Sequence, residues 1–144
     1  MIKKPRMLVF VLTLIMLGIL ILSAKMMVVE SQVNWLYNYD EGLSKARTEN
    51  KIVLLYFHAD WCSWCKKLNQ ETFSNQSIAS YLNEKLILIK IDVEKNISLS
   101  ETYEVYDIPT VVFLSVNGTE VGRQGYLPPG QFLKYVRNIV KQYD

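Results

Sequence analysis

The sequence predicts an α/β domain, a central mixed β-sheet flanked by helices, preceded by one N-terminal transmembrane helix. Three observations carry this. Met7 to Ala24 runs for 18 residues without a charge. Downstream, the apolar runs Ile52 to Phe57 and Leu86 to Ile91 alternate with stretches of helical spacing. Near the end, Asn117-Gly118 separates two strand-like segments, as in a β-hairpin. The chain divides into residues 1–25, a membrane anchor or signal segment, residues 26–32, a linker, and residues 33–144, the globular domain.

Half of the chain is hydrophobic, and the excess sits at the front. Lys3, Lys4 and Arg6 precede the apolar run and Lys25 closes it. Positive flanks stay on the cytoplasmic side, which places the domain on the extracytoplasmic side, periplasmic or extracellular. A cleaved secretory signal is the alternative. A cut after Ala24 would put Leu22 where the cleavage rule wants a small residue, so an uncleaved signal-anchor is favoured. A buried core helix would need more domain around it than a chain terminus offers. From Val33 onward, 12 Lys and Arg face 13 Asp and Glu. A near-neutral domain lacks the basic footprint of a nucleic-acid binder.

Within the domain, Trp35, Leu36, Tyr39, Leu43 and Ala46 have helical spacing, with a start near Asp40. Ile52 to Phe57 is a continuous apolar run, the mark of a strand buried on both faces. Cys65 to Phe73 reads as helix, and a break at Ser74-Asn75 leads to a second piece, Ser77 to Glu84. Leu86 to Ile91 is the second strand, Leu99 to Tyr106 a short helix, and Thr110 to Val116 the third strand. Thr119 to Gly125 follows the turn, and Pro128 to Tyr143 closes as an amphipathic helix with Phe132, Val136, Ile139 and Val140 on one face.

The two cysteines stand three positions apart, in Cys62-Ser63-Trp64-Cys65. Disulfide exchange needs one thiolate to attack and a second thiol to resolve the mixed disulfide. A Cys-x-x-Cys at a strand-to-helix junction supplies both. Cys62 is expected exposed at the helix start, where backbone amides favour the anion, with Cys65 one turn later. A zinc site would want two more Cys or His ligands, and His58 is the sole histidine, so no metal is expected. A structural disulfide this short closes almost no loop and stabilises little. His58 is expected on the surface, with tuning of the Cys62 thiolate as the alternative.

These residues resemble the thioredoxin superfamily. The resemblance rests on Tyr56 to Lys66 around the cysteines, then Ile108-Pro109-Thr110, Asn117-Gly118 and Gly125, and covers essentially Asn34 to Asp144. Trp35, Asn50-Lys51 and Glu71-Thr72-Phe73 bring it closer to a subgroup of extracytoplasmic thioredoxin-like domains, which includes the C-terminal domain of the transmembrane thiol reductant of the bacterial periplasm. The resemblance implies a thioredoxin fold and a thiol–disulfide oxidoreductase without a cofactor. It makes Cys62 the nucleophile, Cys65 the resolving cysteine and Pro109 a cis-proline facing them. The backbone of Ile108 would pair with a substrate strand. Trp61, Trp64 and Tyr126 would line the substrate groove, although Trp61 also fits a core aromatic.

Departures from the family pattern are two. Thioredoxins carry a buried aspartate six positions before the first cysteine, where this chain has Tyr56. Lys90 matches the lysine that partners this aspartate and is expected as a solvated charge, with Glu94 a candidate replacement carboxylate. Ser63-Trp64 also replaces the Gly-Pro between the cysteines. The function expected is reduction of disulfides in client proteins, fed by a membrane electron donor. An oxidant or isomerase of secreted proteins and a non-catalytic binding module are the alternatives. A Cu(I) carrier is disfavoured, because all five methionines lie at or before Met27.

Overall fold

The computed structural model describes residues 9–17 and 32–143. The chain separates into two compact units, dividing at Glu30 and Ser31. In the first, residues 9–17 are helical and exposed. The rest of the expected anchor, and the linker apart from Gln32, lie outside the described residues. Among the described residues no helix is long and apolar enough to cross a membrane.

The second unit is a four-stranded mixed sheet with helices on both faces. Its elements run α1 (Tyr39–Glu49), β1 (Ile52–His58), α2 (Ser63–Leu68), a π-type turn (Asn69–Phe73), α3 (Gln76–Lys85), β2 (Leu86–Asp92), α4 (Ile97–Thr102), β3 (Thr110–Leu114), β4 (Glu120–Gln124) and α5 (Pro129–Tyr143). The strand order is β2-β1-β3-β4. β1 pairs parallel to β2, with Ile52 opposite Leu86 and His58 opposite Asp92. β3 runs antiparallel to β1 and to β4.

β1 is buried at all seven positions, as its unbroken apolar run requires. Side chains alternate across the sheet. Ile52, Leu54 and Tyr56 face a core with Leu68, Phe73, Leu82, Phe132 and Val136. Val53, Leu55 and Phe57 face the other way, toward Ala46, Ile87, Ile89 and Leu114. Both cysteines belong to the first core.

Local chemistry sets the helix ends. The Asn38 and Asn75 side chains accept backbone N–H bonds from Glu41 at 3.0 Å and Ile78 at 3.2 Å, capping α1 and α3. Asn50 ends α1 in the left-handed region, and Pro129 opens α5, where a missing N–H costs nothing.

Three elements differ from the sequence expectation by more than one residue. The helix after the cysteines changes to π-type geometry at Asn69, with the Ser74 N–H donating to the Asn69 carbonyl at 2.9 Å. That wider turn lets consecutive Thr72 and Phe73 both point inward. The α4 helix spans Ile97–Thr102 rather than 99–106, because the chain turns at Glu104, φ 49°. β3 stops at Leu114 because Ser115–Gly118 forms the turn, closed by the Gly118 N–H on the Ser115 carbonyl at 2.9 Å, with Gly118 at φ 82°.

The α1 helix lies close on the sheet through Gly42. A Cβ built there would meet Ile89 Cγ1 at 2.6 Å, and Cδ1 closer still. Ile89 is fully buried and has nowhere to retreat. Gly42→Ala is therefore expected to destabilise the domain by ~1–3 kcal/mol, despite the better helix propensity of alanine. Urea unfolding checks this, and an unchanged or higher midpoint would show that the packing yields.

Candidate functional site

The site is built where β1 ends. After His58, Ala59–Trp61 turn the chain, and the Cys62 N–H donates to the Ala59 carbonyl at 3.2 Å. Cys62 then caps α2: its Sγ accepts the Cys65 N–H at 3.0 Å. Cys62 and Cys65 are joined as a disulfide, with Cα atoms 5.2 Å apart. A backbone N–H that donates to a sulfur favours a thiolate over a thiol there.

The expectation of an exposed Cys62 is corrected. Cys62 is 4% and Cys65 1% exposed, whereas Trp61 is 67% and Trp64 53% exposed. The indoles stand outward on either side of a recessed sulfur. This also settles Trp61 as a surface residue rather than a core aromatic.

Opposite the disulfide lies the loop before β3. The Ile108–Pro109 bond is cis, and the Ile108 carbonyl oxygen stands 3.6 Å from Cys62 Sγ. Gly125 passes on the far side of this loop, its Cβ direction 3.6 Å from the Pro109 carbonyl. Tyr126 follows, with its ring 5.0 Å from that of Trp64. The structure thus brings Cys62, Trp64, Ile108, Pro109 and Tyr126 to one end of the sheet. Trp61 lies there through its bond to Cys62.

Two residues not singled out as site residues from the sequence join them. Lys67 Nζ lies 4.9 Å from the Trp64 ring centre and 5.1 Å from that of Tyr126. The Tyr126 hydroxyl donates to Glu71 Oε2 at 2.5 Å, which holds its pKa above the ordinary value. The i, i+3 spacing of Trp64 and Lys67 was the available signal. Tyr126, far along the chain, was needed to give it meaning. No group of three or more His, Cys, Asp or Glu that could hold a metal exists among the described residues.

Comparison with known proteins agrees with this geometry. A family model described as a thioredoxin-like domain matches residues 39–139. The chain belongs to the thioredoxin-like family. It is 31% identical over 106 residues to the thiol:disulfide interchange protein DsbD of Vibrio vulnificus, matching 69% of this chain and 18% of that protein. It is 25% identical to the disulfide bond reductase DsbH of Chlamydia pneumoniae, over 72% of this chain and 71% of that one. A thioredoxin structure from Thermus thermophilus superposes with a TM-score of 0.67 at 30% identity, covering 75% of this chain and 87% of the other. The chain spans less than a fifth of the DsbD proteins it matches. Its Cys62–Cys65 pair, with these relatives, supports thiol–disulfide oxidoreductase activity.

Within this thioredoxin-like frame, Tyr56 occupies the place of the family's buried aspartate. Its hydroxyl donates to the Cys65 carbonyl at 3.2 Å, tying the first turn of α2 to β1. Burial pushes its pKa far above the ordinary tyrosine value, so it stays neutral and supplies no base to Cys65. Lys90, expected as a solvated charge, is half-buried with Nζ 5.8 Å from the Tyr56 ring centre. A cation–ring contact stands where the family has an ion pair. Glu94 is exposed, and its backbone N–H donates to Asp92 Oδ1 at 3.0 Å.

His58 corrects the surface expectation. It is 9% exposed and stacked on Tyr56, with ring centres 5.4 Å apart. Burial, then the Lys90 ammonium, lowers its pKa below the ordinary 6.5, against the opposing pull of Asp92 and Asp60. The folded state therefore holds this proton less well than the unfolded chain. The neutral ring's stability is complete above about pH 6.5 and falls as pH drops through that value toward the lower folded-state pKa. His58→Gln should flatten the pH dependence of urea unfolding across roughly pH 7 to 5. Equal losses in both proteins would show that His58 does not carry it.

Proposed function

We propose that the protein is anchored by residues 1–25 and reduces disulfides of client proteins on the extracytoplasmic side of the membrane. The observation that carries this reading is the recessed Cys62 Sγ, facing the Ile108 carbonyl at 3.6 Å and the Cys65 amide at 3.0 Å. Together these supply an activated sulfur beside a backbone edge for a client strand. The charge-free run Met7 to Ala24, with Lys3, Lys4 and Arg6 before it, supports the anchor and its orientation. The name of the DsbH relative, a disulfide bond reductase, supports the direction.

In the dithiol form, Cys62 Sγ⁻ attacks one sulfur of the client disulfide. A Cys62–client bond forms, the client S–S bond breaks, and the departing thiolate takes a proton. Cys65 gives up its proton and attacks Cys62 Sγ. This releases the second client thiol and closes the Cys62–Cys65 disulfide. The client has gained two electrons and two protons, and a membrane donor of electrons restores the dithiol. Trp61, Trp64, Ile108, Pro109 and Tyr126 form the client-binding groove.

Cys62→Ser should abolish insulin reduction, whereas Cys65→Ser should accumulate protein-bound mixed disulfides on non-reducing gels. Full activity in Cys62→Ser would sink the mechanism. The direction is tested by the reduction potential in dithiothreitol or glutathione buffers. A value near −270 mV fits a reductant, and one near about −120 mV would make the protein an oxidant of secreted proteins instead.

A further inference from the structure

The proposed function makes no use of a concavity beside the cis-proline loop. A cavity of about 390 Å³ is lined by Val93, Ile97, Ser100, Glu101, Val105 and Tyr106. Two of its walls are large apolar side chains left in water: Ile97 is 64% and Tyr106 86% exposed. A single exposed apolar residue needs no explanation, but two on one cavity beside a client groove do. Tyr106 precedes Ile108 by two residues, and the Ile108 carbonyl stands 3.6 Å from Cys62 Sγ. A client strand paired with Ile108 advances ~3.3 Å per residue, so it reaches this cavity within a few residues of its cysteine.

The charge around the cavity is one-sided. Glu101 is in its lining, and Glu94 and Asp107 are exposed in the segments that build it. Among the described residues none of these three carboxylates has an ion-pair partner. The nearby cation, Lys95, is engaged by Asp92 at 3.3 Å. Unpaired carboxylates around an apolar hollow favour an apolar side chain with a basic neighbour and disfavour acidic segments.

Resting on the proposed function, we infer that this cavity selects clients: it takes an aliphatic or aromatic side chain, next to a Lys or Arg, from the segment flanking the client's disulfide cysteine. Its test uses the full-length protein and disulfide-linked peptides that differ only at two adjacent positions near the cysteine. These positions carry Leu-Lys, Leu-Glu or Ser-Lys. Dithiobis-nitrobenzoate, a disulfide without a peptide, serves as the control.

The Leu-Lys peptide should show a KM ~3–10-fold below the other two, at similar kcat. Ile97→Ser and Glu101→Gln should each remove most of that preference and leave the reaction with dithiobis-nitrobenzoate unchanged. Equal KM values for the three peptides, or a preference intact in both variants, would overturn the inference while the oxidoreductase reading stands. If the wild-type dithiol failed to reduce dithiobis-nitrobenzoate, that reading would fall and the inference with it.

Discussion

Burial of β1 on both faces is the constraint on which the rest depends. Its seven residues lie between β2 and β3 and contribute to both cores. A strand so held cannot shift register without moving every side chain to the wrong face. The chain that leaves it at His58 therefore starts from a fixed point, and Cys62 follows four residues later. The parallel partner β2 ends at the same level, with Asp92 opposite His58. The antiparallel partner β3 begins there, immediately after Pro109. Disulfide, cis-proline loop and His58 share one end of the sheet because three strands begin or end together.

Below the disulfide the interior is aromatic. Tyr56 lies 5.6 Å from Trp35 and 5.1 Å from Phe73, and Phe73 lies 5.6 Å from Phe132, measured between ring centres. An ionised carboxylate among such rings would need a close cation to offset its desolvation. A tyrosine needs one hydrogen bond, and the Cys65 carbonyl supplies it. Above the disulfide the arrangement is different. There Trp64, Lys67, Tyr126 and Glu71 link α2, the π-type turn and the loop after β4 by ring, cation and hydroxyl contacts at the surface. The sulfurs lie between a neutral core and a charged rim.

Much of this was legible in the sequence because it rests on local chemistry. The apolar run of β1, the Asn-Gly turn and the Cys-x-x-Cys at a strand end each follow from neighbours in the chain. The cis-proline followed from the family resemblance. What could not be read depends on partners far away. The burial of His58 is set by its stack on Tyr56 and by the surrounding elements, and no spacing reveals it. The recession of Cys62 depends on the Ile108 carbonyl, 46 residues on. The role of Lys67 appears only once Tyr126 is brought beside it. The π-type turn at Asn69 has a related cause, since its geometry answers the burial of Thr72 and Phe73 against the core rather than any local propensity.

The Tyr56 substitution also bears on how the molecule meets its surroundings. In a redox protein with a buried carboxylate beneath its disulfide, a change of outside acidity acts on the interior as well as on the attacking sulfur. With a neutral phenol there, that coupling is absent and the Tyr56 position keeps one charge state. Acidification then acts through His58 and Asp92, which face each other at the strand ends. The place beneath the disulfide is in this sense insulated by composition: it holds its charge state while the histidine stacked on it does not.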